Sequence, residues 1–218
     1  MEKVSEIFLW GVPLLFSLSF HEAAHAWMAN RRGDPTARLM GRMTLNPIVH
    51  IDLIWTIIIP LALYLMSGFM FGAAKPVPVN ELNLKRWRRD GLLVAAAGPG
   101  SNLVLAVGFT IVVFIINRIP QGPTIATASF AVATPILTMA IIGIKINLLL
   151  ALFNLVPIPP LDGGRVATHL FPQYAAQSAA LERFGILIVF LLLYVGVLDV
   201  LVFQPTNFLF RLLLSLTV

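Results

Sequence analysis

The string Phe20-His21-Glu22-Ala23-Ala24-His25-Ala26-Trp27 lies inside the first long apolar run of the chain. That placement constrains the fold more than any other feature. On a helix, His21 and His25 stand one turn apart and project from the same face, so their imidazoles can hold one metal ion. Glu22 lies about 100° round the helix from His21. It need not be a ligand, yet it can reach a water beside the metal as general base. Ionisable groups inside an apolar span are costly and mark function, which favours a metal site over two histidines that merely share a helix face.

The 218 residues are 58% hydrophobic and 11% charged, with mean hydropathy +0.89. A soluble domain carries about 25% charged residues. The expectation is therefore an all-α polytopic membrane protein, one domain over 1–218, with about five to six transmembrane or re-entrant helices. The net charge of +5 does not point to nucleic acid. The basic residues fall in short loops, where they set topology and meet anionic lipid. There is no cysteine, which excludes disulfides and thiolate catalysis and leaves histidine and carboxylate to bind zinc. Removing the first apolar run would remove the motif, so it is not read as a cleavable leader.

Apolar spans are expected at about 4–30, 91–117, 131–156 and 182–202, with a short tail at 206–218. Residues 51–71 are also apolar, with Pro60 in the middle. Thr36–Leu45 reads as a short hairpin or edge strand. Lys75-Pro76-Val77-Pro78-Val79-Asn80 reads as an extended strand, a short β element near the site, that cannot pair on both edges because proline lacks an N–H. After Asn154, the prolines at 157, 159 and 160 break the helix, and such backbone at membrane depth must line a cavity. Asp162, followed by Gly163 and Gly164, fits a ligand on a sharply turning chain. Gly98–Asn102 reads as close helix packing, with Asn102 a buried polar group that needs a partner. His50 and Asp52 read as an outer support of the site or an interfacial pair, His169 as an interfacial polar residue, and Lys145 as snorkelling or paired.

These strings resemble the site-2 protease family of intramembrane zinc metalloproteases. The resemblance rests on His21-Glu22-Ala-Ala-His25, Gly98-Pro99-Gly100-Ser101-Asn102 and Asn154-Leu-Val-Pro157-Ile-Pro-Pro160-Leu-Asp162-Gly163. Gly41–Pro47, His50-Ile-Asp52 and Ala74–Val79 are similar to its compact bacterial and archaeal branch, without PDZ or CBS domains. The resemblance covers about residues 15–170 and implies a catalytic core at about 4–170, followed by C-terminal helices at 182–218. It implies that His21, His25 and Asp162 hold one Zn2+ per chain, with Glu22 as the catalytic acid and base. It implies that Asn154 binds substrate or the developing oxyanion, and that Lys75, Pro76, Val77 and Pro78 belong to a strand that pairs with an unwound substrate.

One metal shared by His21, His25 and Asp162 requires roughly parallel helices. If 51–71 crossed the membrane, the two helices would be antiparallel, and a long, kinked helix would have to deliver Asp162 from mid-membrane; if it is re-entrant, they are parallel. The re-entrant reading places both basic loops, 31–50 and 72–90, on the cytoplasmic side, leaves the nearly uncharged loop 118–130 outside, and puts the N-terminus outside. The expected activity is zinc-dependent endoproteolysis within or near a transmembrane helix of a partner membrane protein. The expected location is a prokaryotic cell membrane, with the site toward the cytoplasm and the lipid bilayer as surroundings. The rival is a non-proteolytic zinc-binding membrane protein that transports or senses metal, which has no need of Glu22 inside His-x-x-x-His.

Overall fold

The computed structural model describes residues 2–67, 72–118 and 126–218. The chain runs α1 (Glu2–Arg32), α2 (Thr36–Leu39), a 3-10 turn (Pro47–His50), then a π turn (Leu53–Ile58) that continues into α3 (Ile59–Ser67). Next come α4 (Trp87–Asn117), α5 (Ala126–Asn154), α6 (Asp162–Leu170), α7 (Ala175–Glu182) and α8 (Gly185–Tyr194). A second π turn (Asp199–Phe203) leads into α9 (Gln204–Ser215).

Among the described residues, three stretches are long and apolar enough to cross a membrane: Ser5–Arg32, Trp87–Asn117 and Thr134–Asn154. Ala175–Glu182 and Leu187–Tyr194 would make a fourth if that pair, bent by 88°, counts as one span. The molecule is a multi-pass, all-helical membrane protein. Its core sets buried alanines among buried aliphatic residues such as Leu14, Leu18, Ile144 and Leu148; lipid gives helices no hydrophobic reason to associate, so close van der Waals contact must do so. Ala26, Ala29, Ala106, Ala140 and Ala151 are all buried, whereas Val104, Ile111, Phe190 and Leu187 face outward.

Paired contacts give the helix directions. His21 meets Asn102, and His25 meets the backbone of Val94 four residues on, so α1 and α4 are antiparallel. Asn147 meets Ser17, and beyond it in both chain segments Asp162 meets His21, so α1 and α5 run the same way. The expectation of parallel helices is met: α4 runs back between α1 and α5 in chain order, and α1 and α5 also touch directly through Ser17 and Asn147.

Two expectations are corrected. Among the described residues there is no β-strand. Thr36–Leu39 is a single helical turn, where local i to i+4 bonding satisfies the backbone without a partner strand. Lys75–Asn80 carries no ladder, because the amides of Lys75, Val77 and Asn80 go to the His50 carbonyl, Glu22 and Asp34. The span expected at 182–202 is also broken earlier than its Gln204-Pro205 end. Gly196 takes a left-handed φ of 81°, a conformation glycine adopts without penalty. Pro205 instead sits in the first turn of α9, where its missing N–H leaves nothing unsatisfied.

The apolar segment expected at 51–71 is helical over Leu53–Ser67, and residues 68–71 lie outside the described residues. Most of the loop expected at 118–130 lies outside them as well. Ala73 N–H donates to Trp55 O at 3.0 Å, and Thr56 Oγ1 donates to Ala73 O at 2.7 Å. Both ends of the segment are thus side by side.

Candidate metal centre

His21, Glu22 and His25 sit on α1 eleven to seven residues before its basic end at Arg32, so roughly 10–16 Å inside that end along the helix axis. All three are buried, as is Asp162. Asp162 opens α6, whose first turn packs on the broken chain after α5. A side chain at Gly163 would lie 2.3 Å from the Val156 carbonyl oxygen, and one at Gly164 would lie 2.6 Å from Pro159 N. The glycines let α6 start in contact with that loop, which swings the Asp162 carboxylate onto α1.

The Nε2 atoms of His21 and His25 are 3.1 Å apart, and each is 3.1–3.2 Å from Asp162 Oδ2. Tetrahedral ligands with bonds of about 2.0 Å are about 3.3 Å apart, so this triangle suits a small divalent ion. The protonation pattern agrees. His21 Nδ1 lies 2.6 Å from Asn102 Oδ1, and His25 Nδ1 lies 2.7 Å from Val94 O. Both partners only accept, so both Nδ1 atoms carry a proton, and in the neutral imidazoles that bind metal both Nε2 atoms present lone pairs. Two lone pairs and a carboxylate oxygen converging on one point repel unless a cation sits among them. Gly98 makes room for this, since a side chain there would meet His25 Nε2 at 2.3 Å and His21 Nε2 at 2.6 Å.

Glu22 points elsewhere. Its Oε2 accepts the backbone N–H of Val77 at 2.7 Å, which brings the Lys75–Val79 segment to the site. Arg42 Nη2 donates to Lys75 O at 2.8 Å, and Val77 is buried against Ala26 and Ala37. Asp34 anchors the far end of this segment by accepting from Asn80 N (2.7 Å), Asn83 Nδ2 (2.9 Å), Thr36 N (3.1 Å) and the Thr36 hydroxyl. Burial raises the Asp34 carboxyl, but these bonds outweigh it and hold the group below its ordinary range.

The remaining expected residues divide. Asn154 Nδ2 donates to Leu150 O one turn back in α5, not to the His–Asp group. His50 donates to Thr44 O, and Asp52 caps the π turn, so neither reaches the histidines. Lys145 lies 5.9 Å over the Phe210 ring. His169 closes α6 against the start of α4: it is 3.4 Å from Glu81 Oε1, edge-on to Trp87, and Arg88 donates to its carbonyl. That imidazole holds the Glu81 carboxyl below the usual range, against the effect of burial. Asn102 is the residue whose part in the site the sequence left unassigned; the available signal was an amide on the small-residue face of an apolar helix.

A His-x-x-x-His helix with an interposed glutamate, met by a distant aspartate among membrane-spanning helices, defines an intramembrane metalloprotease. The model described as Peptidase family M50 matches residues 10–196, and the chain belongs to that family. A Bacillus subtilis (strain 168) protein named "Putative zinc metalloprotease YwhC" is 42% identical over 196 residues, covering 89% of this chain and 83% of that one. A Mycolicibacterium smegmatis protein named "Putative zinc metalloprotease Rip2" is 32% identical over 187 residues, 85% of this chain and 66% of that one. Its namesake in Mycobacterium tuberculosis (H37Rv) is 30% identical over 200 residues, 91% of this chain and 71% of that one. No solved structure matches.

Proposed function

We propose that this zinc-dependent intramembrane protease holds its ion with His21, His25 and Asp162 and uses Glu22 as general base and acid. The observation that carries the reading is the triangle of two Nε2 atoms and one carboxylate oxygen with edges of 3.1–3.2 Å. Three protein ligands leave one coordination position open, as a catalytic site requires. When bound, the ion polarises the scissile carbonyl and acidifies the attacking water. Glu22 takes the proton of that water and passes it to the leaving amine.

The substrate is a transmembrane or membrane-proximal helix of another protein, which must unwind to expose its carbonyls. Of residues 75–79, Pro76 and Pro78 have no N–H and that of Lys75 goes to the His50 carbonyl, which leaves those of Val77 and Val79. Val77 lends its N–H to Glu22 before substrate arrives and gives it to a substrate carbonyl afterwards, as an extended peptide adds beside this segment. Freeing Glu22 is then coupled to filling the site. Asn154, at the end of α5, is the candidate for a further polar contact to substrate, and Lys75, Pro76 and Pro78 shape the docking edge.

We also read 51–71 as re-entrant, because hydrogen bonds between Trp55, Thr56 and Ala73 return the chain to the side it left. The N-terminus then faces outward and the site lies toward the cytoplasm. Residues 4–170 form the catalytic core, and the helices after 182 pack on it from outside.

The test compares wild type with Glu22→Gln on a tagged single-span membrane protein in detergent. Zinc stays at one per chain, and cleavage falls by at least about 100-fold. Unchanged cleavage in the zinc-loaded variant rejects the mechanism, and metal flux without proteolysis would favour a transporter.

A further inference from the structure

Asn102 and Asn147 are both fully buried, and neither is a ligand. Together with Ser17 they tie the three spanning helices at one level, and their hydrogen bonds have a forced polarity. Asn147 Nδ2 lies 2.8 Å from Gly143 O and 2.7 Å from Ser17 Oγ. The Ser17 hydroxyl donates to Pro13 O at 2.7 Å. A carbonyl at Gly143 can only accept, so the Asn147 amide must place its NH2 there and its Oδ1 toward Asn102. Asn102 Nδ2 lies 2.8 Å from that Oδ1 and 3.3 Å from Ser17 O. With two acceptors on that side, Asn102 must turn its own Oδ1 to His21, 2.6 Å away. An amide oxygen there can only accept, so His21 must carry its proton on Nδ1 and direct the Nε2 lone pair at Asp162 and His25.

From this chain we infer that Asn102 is a positioning residue whose polarity, set by Asn147 and the backbone carbonyls of Gly143 and Ser17, fixes the tautomer and ring plane of His21 for metal binding. The chemistry also explains an amide in place of the carboxylate common beside zinc-bound histidines. Glu22 and Asp162 already bring two negative charges to a site bordered by apolar helix. A neutral acceptor orients His21 without a third charge, which would be costly at this depth and would weaken the pull of the ion on substrate.

The inference rests on His21 being a ligand, and the test separates the two. Full-length protein in detergent is titrated with zinc against a chromogenic chelator, and its melting temperature is read without and with zinc. Asn102→Leu keeps the volume and removes the acceptor. It should weaken zinc binding roughly 10–100-fold and shrink the zinc-induced rise in melting temperature. Asn147→Leu leaves the acceptor in place but frees its orientation, so it should give a smaller loss that vanishes when Asn102 is already Leu. Should Asn102→Leu not fold, the zinc affinity of Asn147→Leu decides alone. Wild-type affinity in these variants overturns the inference, as does a fall in melting temperature that is equal with and without zinc. His21→Ala is the control: loss of zinc there upholds the ligand assignment whatever Asn102 does, and retained zinc overturns both.

Discussion

The Val77 amide donates to Oε2 of Glu22 across 2.7 Å, joining two residues 55 positions apart. The carboxylate assigned to move protons is therefore held by the backbone of the segment assigned to bind substrate. Position 77 lies between two prolines, so replacing Val77 by proline keeps the extended path and removes only the donor and part of the side chain. A hydrogen bond to a charged group contributes about 1.5–3 kcal/mol. Val77→Pro should lower kcat/KM roughly 10–100-fold, with zinc content intact. Val77→Ala, which retains the N–H, should lose only a few-fold. Equal activity of the two variants in the tagged-substrate cleavage assay would show that the bond has no catalytic part.

Gly98 faces the imidazoles so closely that alanine there would place a carbon 2.3 Å from His25 Nε2. Gly98→Ala should lower zinc affinity by at least about tenfold, since it displaces ligands already oriented by their outer partners. Gly100→Ala, where nothing lies within 4 Å of the added carbon, should bind zinc as wild type does. Chelator competition on the purified proteins checks both.

Asp34 makes the clasp between α1 and residues 80–83 sensitive to acid. Its carboxyl is held below the unfolded value by the donors from Thr36, Asn80 and Asn83, despite burial. The stabilisation is thus present above the ordinary aspartate range and is lost as pH falls through the lower folded value. Melting temperature should drop in strong acid more steeply for wild type than for Asp34→Ala. Near neutral pH, that variant should be less stable by about 2–3 kcal/mol, because several donors lose their acceptor. Parallel pH profiles for the two proteins would show that Asp34 does not set the acid sensitivity.

The chain has no cysteine, so single-cysteine labelling starts from a clean background. Leu39 and Leu82 are exposed and flank the 51–71 segment in sequence. With a membrane-impermeant reagent, Leu39→Cys and Leu82→Cys should both be labelled only from the cytoplasmic side, and Asn117→Cys only from the other. Labelling of Leu39→Cys and Leu82→Cys from opposite sides would make 51–71 a span.

The sequence by itself determined the chemistry available. Two histidines at i and i+4 must share a helix face, an apolar run of that length must be a membrane helix, and a proline-broken chain ending in Asp-Gly-Gly must turn. These are local consequences of helix geometry and backbone sterics. The need for parallel ligand-bearing helices also followed from the sequence, because a metal has only one position. The β elements expected at 36–45 and 75–80 did not form a ladder. A strand needs a partner edge, and here the partners were a carboxylate, a histidine carbonyl and Asp34, none of which local sequence could nominate. Asn102 was legible as a buried amide in want of a bond, but its partner was not. Whether it faces His21 depends on how α4 is rotated against α1 and α5, and only the packing of Gly98 against the imidazoles and the bond from Asn102 to Asn147 settle that rotation. Side-chain identity thus decided which atoms could bind metal and move protons, and tertiary packing decided which polar groups would hold those atoms in place.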